Sequence, residues 1–244
     1  MSVKISDFTP HKKILGAVSG KINEYYLVGG TALSMIYFQH RSSCDLDFFT
    51  KEFSRERVLQ IVDELKKNLD ASIELIGERN QKNMIQISLY LAHFADGSVC
   101  KIDFVEDCVE LIHPAHKVVN GINILSLEDI YLRKIYAIAG HISSVDSIGR
   151  EIMVGGRQEA KDFYDLFCLS SITLSLSEFV TRYCSAAIQE GLIHWYRTYD
   201  RMTIKTGLLD LETTKKIDFK IIDHHFEKEI TELINMQLGF GERS

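Results

Sequence analysis

The chain has 244 residues, of which 45% are hydrophobic and 25% are charged, the composition of an ordinary globular protein. This length is enough to bury one large core or two small ones. The formal net charge of −6 argues against a protein that coats nucleic acid, because such binding depends on many lysine and arginine contacts to phosphates.

The amino terminus and the cysteines indicate a cytoplasmic protein. The first ten residues carry neither a basic start nor an apolar run of signal-peptide length, and no apolar stretch reaches the ~20 residues of a membrane helix. The five cysteines show no Cys-x-x-Cys spacing, which argues against a disulfide framework and a zinc site. We expect core or near-core thiols in a reducing cytosol at Cys44, Cys100, Cys108, Cys168 and Cys184.

Helix and strand patterns alternate at the start of the chain. Apolar residues at helical spacing predict a helix over His11–Glu24, and a short apolar strand, Tyr25–Val28, ends at Gly29-Gly30. Thr31 is a candidate N-cap for a helix through Phe38.

The next segment, Cys44–Thr50, alternates in period 2, which predicts a strand with Asp45 and Asp47 on one face. In a later strand Asp103 likewise alternates with core residues. The patterns between and around these acids predict an amphipathic helix over Ser54–Leu69, strands over Ser72–Ile76, Met84–Phe94 and Val99–Val105, and a hairpin turn at Asp96-Gly97.

From Ser126 the pattern becomes helical. Ser126 and Asp129 resemble a capping box ahead of a helix through Ile142, and the glycine-bearing region Ser143–Arg157 reads as a loop or frayed insertion. Further helices are predicted over Gln158–Leu169, Leu176–Glu190, Leu192–Lys205 and Asp223–Leu238. The sequence thus predicts an α/β (α+β) fold: a small mixed sheet flanked by helices in residues 1–125, and an α-helical domain, 126–244, that completes an active-site cleft.

Asp45, Asp47 and Asp103 are the residues with the clearest chemistry. Two carboxylates at i and i+2 on a strand share one face, with Cα atoms ~7 Å apart. Mg²⁺ prefers such oxygen ligands together with phosphate and water. A Gly-Gly turn also lets backbone N–H groups approach a triphosphate, since glycine has no Cβ, and Thr31 can add a hydroxyl donor. Each of these features alone is weak evidence for a function. Their order along the chain, with the Gly-Gly turn ahead of the strands that carry the acids, indicates a functional site.

The segments Tyr26-Leu-Val-Gly-Gly-Thr-Ala-Leu33 and His40-Arg41-x-Ser43-x-Asp45-Leu-Asp47-Phe-Phe49 resemble the AbiEii/AbiGii family of nucleotidyltransferase toxins, within the polymerase-beta-like nucleotidyltransferase superfamily. The resemblance implies that Asp45 and Asp47 hold Mg²⁺ or Mn²⁺ and that Asp103 completes the carboxylate set, as a metal ligand or as the base for the attacking hydroxyl. It also implies that a nucleoside triphosphate contacts Gly29, Gly30, Thr31, Arg41 and Ser43.

Two later segments resemble the same family, one around Lys134 and one spanning Lys161-Asp162-Phe-Tyr-Asp165-Leu166. By this resemblance Lys134 contacts the triphosphate, and Asp162 and Asp165 belong to the nucleotide site. The alternatives are a solvated helix residue for Lys134, and pairing of the two acids with Lys161 or Arg157. The family often carries an arginine where this chain has His141.

One basic feature lies outside the family motifs. Arg197, Arg201 and Lys205 repeat at i, i+4 and i+8 and predict a cationic stripe on one helix. The stripe is either a solvated face partnered by acids or a docking site for the phosphates of an acceptor RNA. The adjacent pair His224-His225 lacks the spacing of metal ligands.

The favoured function is transfer of a nucleoside monophosphate from a nucleoside triphosphate to an acceptor hydroxyl. The resemblance implies that the acceptor is a tRNA end, that the protein is the toxin of a toxin–antitoxin or phage-defence system, and that a cognate antitoxin is a partner. Two alternatives remain open: the same chemistry on a small molecule or a protein, and a catalytically silent nucleotide-binding module. Neither base preference nor oligomeric state follows from the sequence.

Overall fold

The computed structural model describes residues 8–81, 84–114, 116–140 and 142–239, so His141 lies outside the described residues. The chain forms two compact units. The first ends at Asp129 and also takes in Glu212–Thr214, and the second contains the remaining residues from Ile130 onward. The assignment of Glu212–Thr214 to the first unit differs from the division made from the sequence, in which they belong to residues 126–244.

The first unit is built on a mixed seven-stranded sheet with the order β3-β4-β5-β2-β1-β7-β6. Strand pairs β2–β5 and β1–β7 are parallel, and the other neighbours are antiparallel. The strands are β1 (Tyr26–Val28), β2 (Asp45–Thr50), β3 (Ala71–Arg79), β4 (Ile87–Phe94), β5 (Val99–Glu106), β6 (Lys117–Val119) and β7 (Ile122–Ile124). The predicted mixed sheet is therefore confirmed.

Three helical segments accompany this sheet: α1 (Thr9–Val18), α2 (Gly29–Thr31), which continues as a π-helix over Ala32–Tyr37, and α3 (Arg55–Asn68). In α3 the side chain of Ser54 accepts a hydrogen bond from the N–H of Arg57. The apolar residues of this helix that are buried are Val58, Ile61, Val62 and Leu65. The prediction of Thr31 as an N-cap is wrong. Thr31 has helical backbone angles, and the helix already begins at Gly29.

One face of the central strands forms the core of the first unit. Leu46 and Phe48 of β2 and Ile102 and Phe104 of β5 are at most 1% exposed, and the Phe48 and Phe104 rings stack with centroids 5.7 Å apart. Because side chains alternate along a strand, the residues next to these four along β2 and β5 are turned to the opposite face of the sheet.

A hairpin that the sequence analysis did not predict extends the sheet. Strands β6 and β7 are joined by Asn120 and Gly121, with φ of 49° and 72°. Two successive positive φ values are typical of a type I′ turn, for which Asn-Gly is the preferred dipeptide. The Asp96-Gly97 turn was predicted and is confirmed between β4 and β5, with φ of 82° at Gly97.

Helices dominate the second unit. α4 begins in the first unit and continues into the second, and the bounds are α4 (Leu127–Ala139), α5 (Ala160–Ile172), α6 (Leu176–Tyr183), α7 (Ala186–Thr198), α8 (Arg201–Asp210) and α9 (Phe219–Gln237). Phe163 lies at the aromatic centre of this unit and contacts the rings of Trp195, Tyr199, Phe219 and Phe226.

Two predicted helices are each interrupted. The predicted helix Leu176–Glu190 ends at Tyr183, and Ser185 then caps α7 by accepting a hydrogen bond from the N–H of Ile188. The predicted helix Leu192–Lys205 is divided at Asp200, whose carboxylate accepts from the N–H groups of Met202 and Thr203 and so starts α8. These serine and aspartate caps outweighed the continuous apolar periodicity.

The region predicted as a loop contains an antiparallel hairpin, β8 (Ile142–Val145) and β9 (Glu151–Val154). Asp146 closes its turn by accepting hydrogen bonds from the N–H groups of Ile148 and Arg150. Gly149 supplies the positive φ, 86°, that the turn requires.

No single helix in the described ranges has the length and apolar composition of a membrane span; α5 and α6 reach it only together, and a bend of 91° separates them. All five cysteines are free thiols. The expectation of core or near-core thiols is wrong for Cys44 and Cys108, which are exposed, whereas Cys100 and Cys184 are buried.

Candidate active site

Three carboxylates lie on one face of the central strands. Asp45 and Asp47 are half-buried on β2, on either side of the fully buried Leu46. The parallel register of β2 and β5 sets Asp47 directly opposite Asp103, which is 9% exposed. Adjacent strands are ~4.8 Å apart and opposite residues share a face, so the three acids form one negatively charged surface.

A lysine belongs to the same face. Lys101 is the register partner of Asp45, and its Nζ lies 2.6 Å from Oδ2 of Asp103. Burial acts to lower the pKa of Lys101, but the hydrogen bond and charge of Asp103, together with the charges of Asp45 and Asp47, raise that pKa above its ordinary value. Lys101 is therefore charged at neutral pH. No role was predicted for Lys101 from the sequence, although its i, i+2 spacing from Asp103 places both side chains on the same face of the strand.

Gly29 makes room for one of these acids. The residue before it, Val28, pairs with Asp47 across β1 and β2. Gly29 has a φ of 72°, and a Cβ at this position would lie 2.2 Å from Oδ2 of Asp47. The open side of this glycine is thus filled by the Asp47 carboxylate of the protein itself, which fixes where that carboxylate sits.

Gly30 likewise makes room for a positively charged side chain, that of Arg41. A Cβ at Gly30 would lie 2.3 Å from Nη2 of Arg41 and 3.2 Å from Oγ of Ser43. Arg41 is 3% exposed, and its Nη1 donates a hydrogen bond to the carbonyl of Ser42 at 2.7 Å. A buried guanidinium with fixed donors is well suited to phosphate oxygens.

Thr31 ties this turn to the strand that bears the acids. Its hydroxyl lies 2.8 Å from Oγ of Ser43 and donates to the carbonyl of Asp45. Thr31 is fully buried. The predicted nucleotide-binding residues Gly29, Gly30, Thr31, Arg41 and Ser43 are thus neighbours of Asp45 and Asp47 in the first unit.

A segment far away in sequence pairs with the loop that carries Arg41. Thr213 forms an antiparallel bridge with Arg41, the N–H of Ser42 donates to Glu212 at 2.8 Å, and the N–H of Thr214 donates to His40 at 3.0 Å. We call Glu212–Thr214 the strap. The strap could not be predicted from the sequence, because a three-residue stretch between helices has no pattern that indicates which segment it pairs with.

We call the surface formed by Asp45, Asp47 and Asp103 the carboxylate face. Its carboxylate oxygens are the type of ligand that a divalent cation such as Mg²⁺ prefers. Across the described ranges no three His, Cys, Asp or Glu side chains form a complete metal site by themselves. Mg²⁺, however, usually takes only one or two protein carboxylates and completes its shell with phosphate and water. Asp45 and Asp47, with the latter held in place beside Gly29, provide that number of hard oxygen ligands.

The second unit contains a separate buried cluster of ion pairs. Nζ of Lys134 lies 2.6 Å from Asp162 and 2.7 Å from Asp165, and both acids are fully buried. Nε of Arg157 lies 3.2 Å from Asp162. Asp162 therefore pairs with both Lys134 and Arg157, and Lys134, at 6% exposure, is not a solvated helix residue. Lys161 pairs instead with Glu159.

The cationic stripe does not lie on one helix. Arg197 is near the end of α7, whereas Arg201 and Lys205 belong to α8, which starts after Asp200. The guanidinium of Arg201 stacks on the rings of Tyr196 and Tyr199, at 5.5 and 4.8 Å from their centroids. All three cations are exposed, and Arg201 differs from Arg197 and Lys205 in that its guanidinium is held against these two rings.

Comparison with solved structures defines the class of fold. The chain matches a crystal structure of JHP933 from Helicobacter pylori with a TM-score of 0.56 at 16% identity, covering 97% of this chain and 98% of the other. It also matches a crystal structure of an H. pylori protein assigned as a nucleotidyltransferase, with a TM-score of 0.52 at 16% identity, covering 93% and 94%. At these identities the likeness shows the fold alone.

The family follows from the sequence itself. The family described as "Nucleotidyl transferase AbiEii toxin, Type IV TA system" matches residues 13–243. The chain therefore belongs to the AbiEii nucleotidyltransferase toxin family, as its motifs predicted. It is an enzyme of the nucleotidyltransferase class, and the family implies a nucleotide substrate and an antitoxin partner. No curated protein sequence matches the chain.

Proposed function

We propose that this protein transfers a nucleoside monophosphate from a nucleoside triphosphate to the hydroxyl of a tRNA end, with release of pyrophosphate, as the toxin of a toxin–antitoxin or phage-defence system. The observation that carries the proposal is the face formed by Asp45, Asp47 and Asp103 next to the turn Gly29–Thr31. Membership of the AbiEii family supports the reaction class and the toxin role.

The residues divide the chemistry between them. We assign Asp45 and Asp47 as ligands of Mg²⁺ or Mn²⁺, and Asp103 as the third carboxylate, next to the attacking hydroxyl. A bound divalent cation would stabilise the charge that develops on the attacking and leaving oxygens. Arg41 and Ser43 donate to phosphate oxygens near Gly29, Gly30 and Thr31. The roles of Lys134, Asp162 and Asp165 in the nucleotide site stay predictions from the family resemblance.

The free thiols support a cytoplasmic location for this activity. Disulfides form and persist in oxidising compartments, whereas cytosolic thiols are kept reduced. Two of the five free cysteines, Cys44 and Cys108, are exposed. Unpaired exposed thiols are the usual state of cysteine in a reducing cytosol.

A second candidate keeps the reaction and changes the acceptor to a small hydroxylated molecule or a protein side chain. Two observations favour it: the net charge of −6, and the stacking of the Arg201 guanidinium on tyrosine rings. Because of this stacking, Arg197 and Lys205 are the two exposed cations of the predicted stripe that are left to contact RNA phosphates. A silent nucleotide-binding module is the third candidate.

Label transfer distinguishes these candidates. Purified protein is incubated with Mg²⁺, total tRNA and each of the four α-labelled nucleoside triphosphates in turn, and the label is followed on gels and by thin-layer chromatography. We expect label on tRNA with at least one triphosphate. Label on a small molecule or a protein alone would favour the second candidate, and no transfer to any acceptor the third.

Two variants test the assigned roles. Asp103→Asn should abolish transfer while triphosphate still binds, because the lost group acts at the attacking hydroxyl or its metal. The double variant Asp45→Asn/Asp47→Asn should lose the rise in melting temperature that Mg²⁺ or Mn²⁺ gives the wild type, since a ligand stabilises only a fold that binds it. Equal metal-induced shifts in both proteins would remove these acids as the metal site.

A further inference from the structure

The carboxylate face already contains one cation of its own. Lys101 stands opposite Asp45 in the β2–β5 register, and its ammonium is 2.6 Å from Asp103 on the same strand. Three acids and one lysine therefore share the face, and its formal charge is −2 rather than −3. One divalent cation is enough to neutralise it.

Lys101 engages one of the three acids directly. The hydrogen bond from its ammonium occupies Oδ2 of Asp103, while the Asp47 carboxylate lies beside Gly29 and Asp45 is the register partner of Lys101. The Lys101 side chain is 33% exposed and that of Asp103 12%, so the pair lies at the accessible surface of the sheet rather than inside the core.

We propose that the site binds one divalent cation, through Asp45 and Asp47, and not the pair of metal ions that can stabilise both the attacking and the leaving oxygen, because the Lys101 ammonium is the fixed positive charge beside Asp103. This inference rests on the proposed function and specifies its metal requirement. Lys101 is here a positioning residue, which orients the Asp103 carboxylate through the hydrogen bond from its ammonium.

Charge arguments favour a single metal. A second dication beside Asp103 would have to displace the ammonium or approach it closely, and like charges within ~4 Å repel strongly at a partly buried site.

The experiment counts bound Mn²⁺ by electron paramagnetic resonance and isothermal titration calorimetry, in the presence of inorganic tripolyphosphate as a stand-in for the triphosphate of any nucleotide. We expect one Mn²⁺ per wild-type chain and two per chain of Lys101→Met, with total Mn²⁺ affinity about tenfold higher in the variant because a nearby positive charge is gone. Lys101→Arg should return the number to one.

The matched control is Lys67→Met, which removes an exposed lysine from α3 and the same unit charge from the protein. It should bind one Mn²⁺ with wild-type affinity. Two Mn²⁺ in the wild type would overturn the inference whatever the variants do, and so would one Mn²⁺ in folded Lys101→Met.

A different result marks failure of the proposed function. If wild type and Asp45→Asn/Asp47→Asn bind the same number of Mn²⁺ ions, including none, the metal site assigned to these acids is wrong and the inference falls with it. If only the double variant loses Mn²⁺ while wild type binds two ions, the metal site stands and the role of Lys101 alone is refuted.

Discussion

At the scale of single residues, Gly29 and Gly30 matter because each leaves empty the space that a Cβ atom would occupy. Sequence reasoning predicted that their missing Cβ atoms admit a triphosphate. In the structure the same space is taken by the Asp47 carboxylate at Gly29 and by the Arg41 guanidinium at Gly30. The glycines therefore leave room for the acid that we assign to metal binding and for the cation that we assign to phosphate binding.

The first prediction tests this role at Gly29. Gly29→Ala should lower stability by about 1 kcal/mol through the positive φ and should also remove the melting-temperature shift produced by Mn²⁺, because the new Cβ displaces Asp47. The control is Gly97→Ala, at a φ of 82° with no atom within 4 Å of the added Cβ. It should lose similar stability and keep the Mn²⁺ shift. Equal Mn²⁺ shifts in both variants would contradict the role given to Gly29.

The second prediction concerns the buried ion pairs of Lys134. Lys134→Met should lower the free energy of unfolding by about 3–5 kcal/mol, since Asp162 and Asp165, both fully buried, lose the ammonium with which both of them pair. Urea denaturation measures this change. The control is Lys161→Met, which breaks an exposed pair with Glu159 and should change stability by less than about 1 kcal/mol. A similarly small effect of Lys134→Met would show that its charge is not needed there.

A third prediction is the pH dependence set by His225. Burial lowers the pKa of His225, whose Nε2 lies 2.9 Å from the hydroxyl of Ser170. The unfolded chain therefore takes up this proton first as the pH falls below about 6.5. Stability is full above that pH and decreases below it, towards the lower pKa of the folded state.

Urea melts between pH 7.5 and 5 test this dependence. His225→Gln, which can still bond to Ser170, should lose less stability on acidification than the wild type. His224→Gln, at the neighbouring residue whose side chain is 81% exposed, should follow the wild type. If both variants follow the wild type, His225 does not set the pH dependence.

The strap acts at the scale of elements. It belongs to the connection between α8 and α9, yet its hydrogen bonds go to the loop His40–Ser42, with a sequence separation of 174 residues at the Thr214–His40 bond. Hydrogen bonds on both sides of Arg41 restrict the backbone that carries this guanidinium. We infer that the strap keeps the phosphate-binding loop in one conformation.

The fourth prediction removes two bonds of the strap. Thr214→Pro eliminates both the N–H and the hydroxyl that donate to the carbonyl of His40, and it should weaken triphosphate binding about tenfold, since each hydrogen bond contributes about 0.5–1.5 kcal/mol. Fluorescence titration with a labelled triphosphate measures the dissociation constant. The control is Lys216→Pro, in the same connection; within the described residues Lys216 donates no hydrogen bond to His40–Ser42. Equal affinities in the two variants would leave the strap without a role in binding.

For the molecule as a whole, net charge decides how RNA could be bound. An enzyme with a net charge of −6 can hold tRNA only through a few local phosphate contacts. Arg197 and Lys205 are exposed, whereas Arg201 is stacked on tyrosines, so reversal of Arg201 would also disturb the fold.

The fifth prediction follows from these exposures. Arg197→Glu/Lys205→Glu should slow label transfer to tRNA and reduce the salt dependence of tRNA binding by a slope of roughly 0.7–0.9 per lost phosphate contact. Triphosphate binding should stay unchanged. The control is Lys66→Glu/Lys67→Glu on α3, with the same change in net charge. If both double variants transfer label to tRNA as the wild type does, Arg197 and Lys205 form a solvated face.

The sequence by itself determined the family, the fold class and the faces of strands β2 and β5. Asp45, Asp47 and Asp103 could be found because side-chain alternation is a local rule that depends only on neighbouring residues. Errors arose where local signals competed, as at Asp200, where a helix cap ended a helix that the apolar spacing would have continued.

Tertiary structure alone decided which strands are neighbours and what lies next to each acid. Parallel pairing of β5 with β2 sets Asp103 opposite Asp47 and Lys101 opposite Asp45, and the strap reaches the Arg41 loop from the far end of the chain. Strand order and register follow from the packing of the whole sheet, so no window of sequence contains them. For that reason the acids and the side of the strand on which Lys101 lies could be predicted from the sequence, whereas the pairing that sets Lys101 opposite Asp45 required the structure.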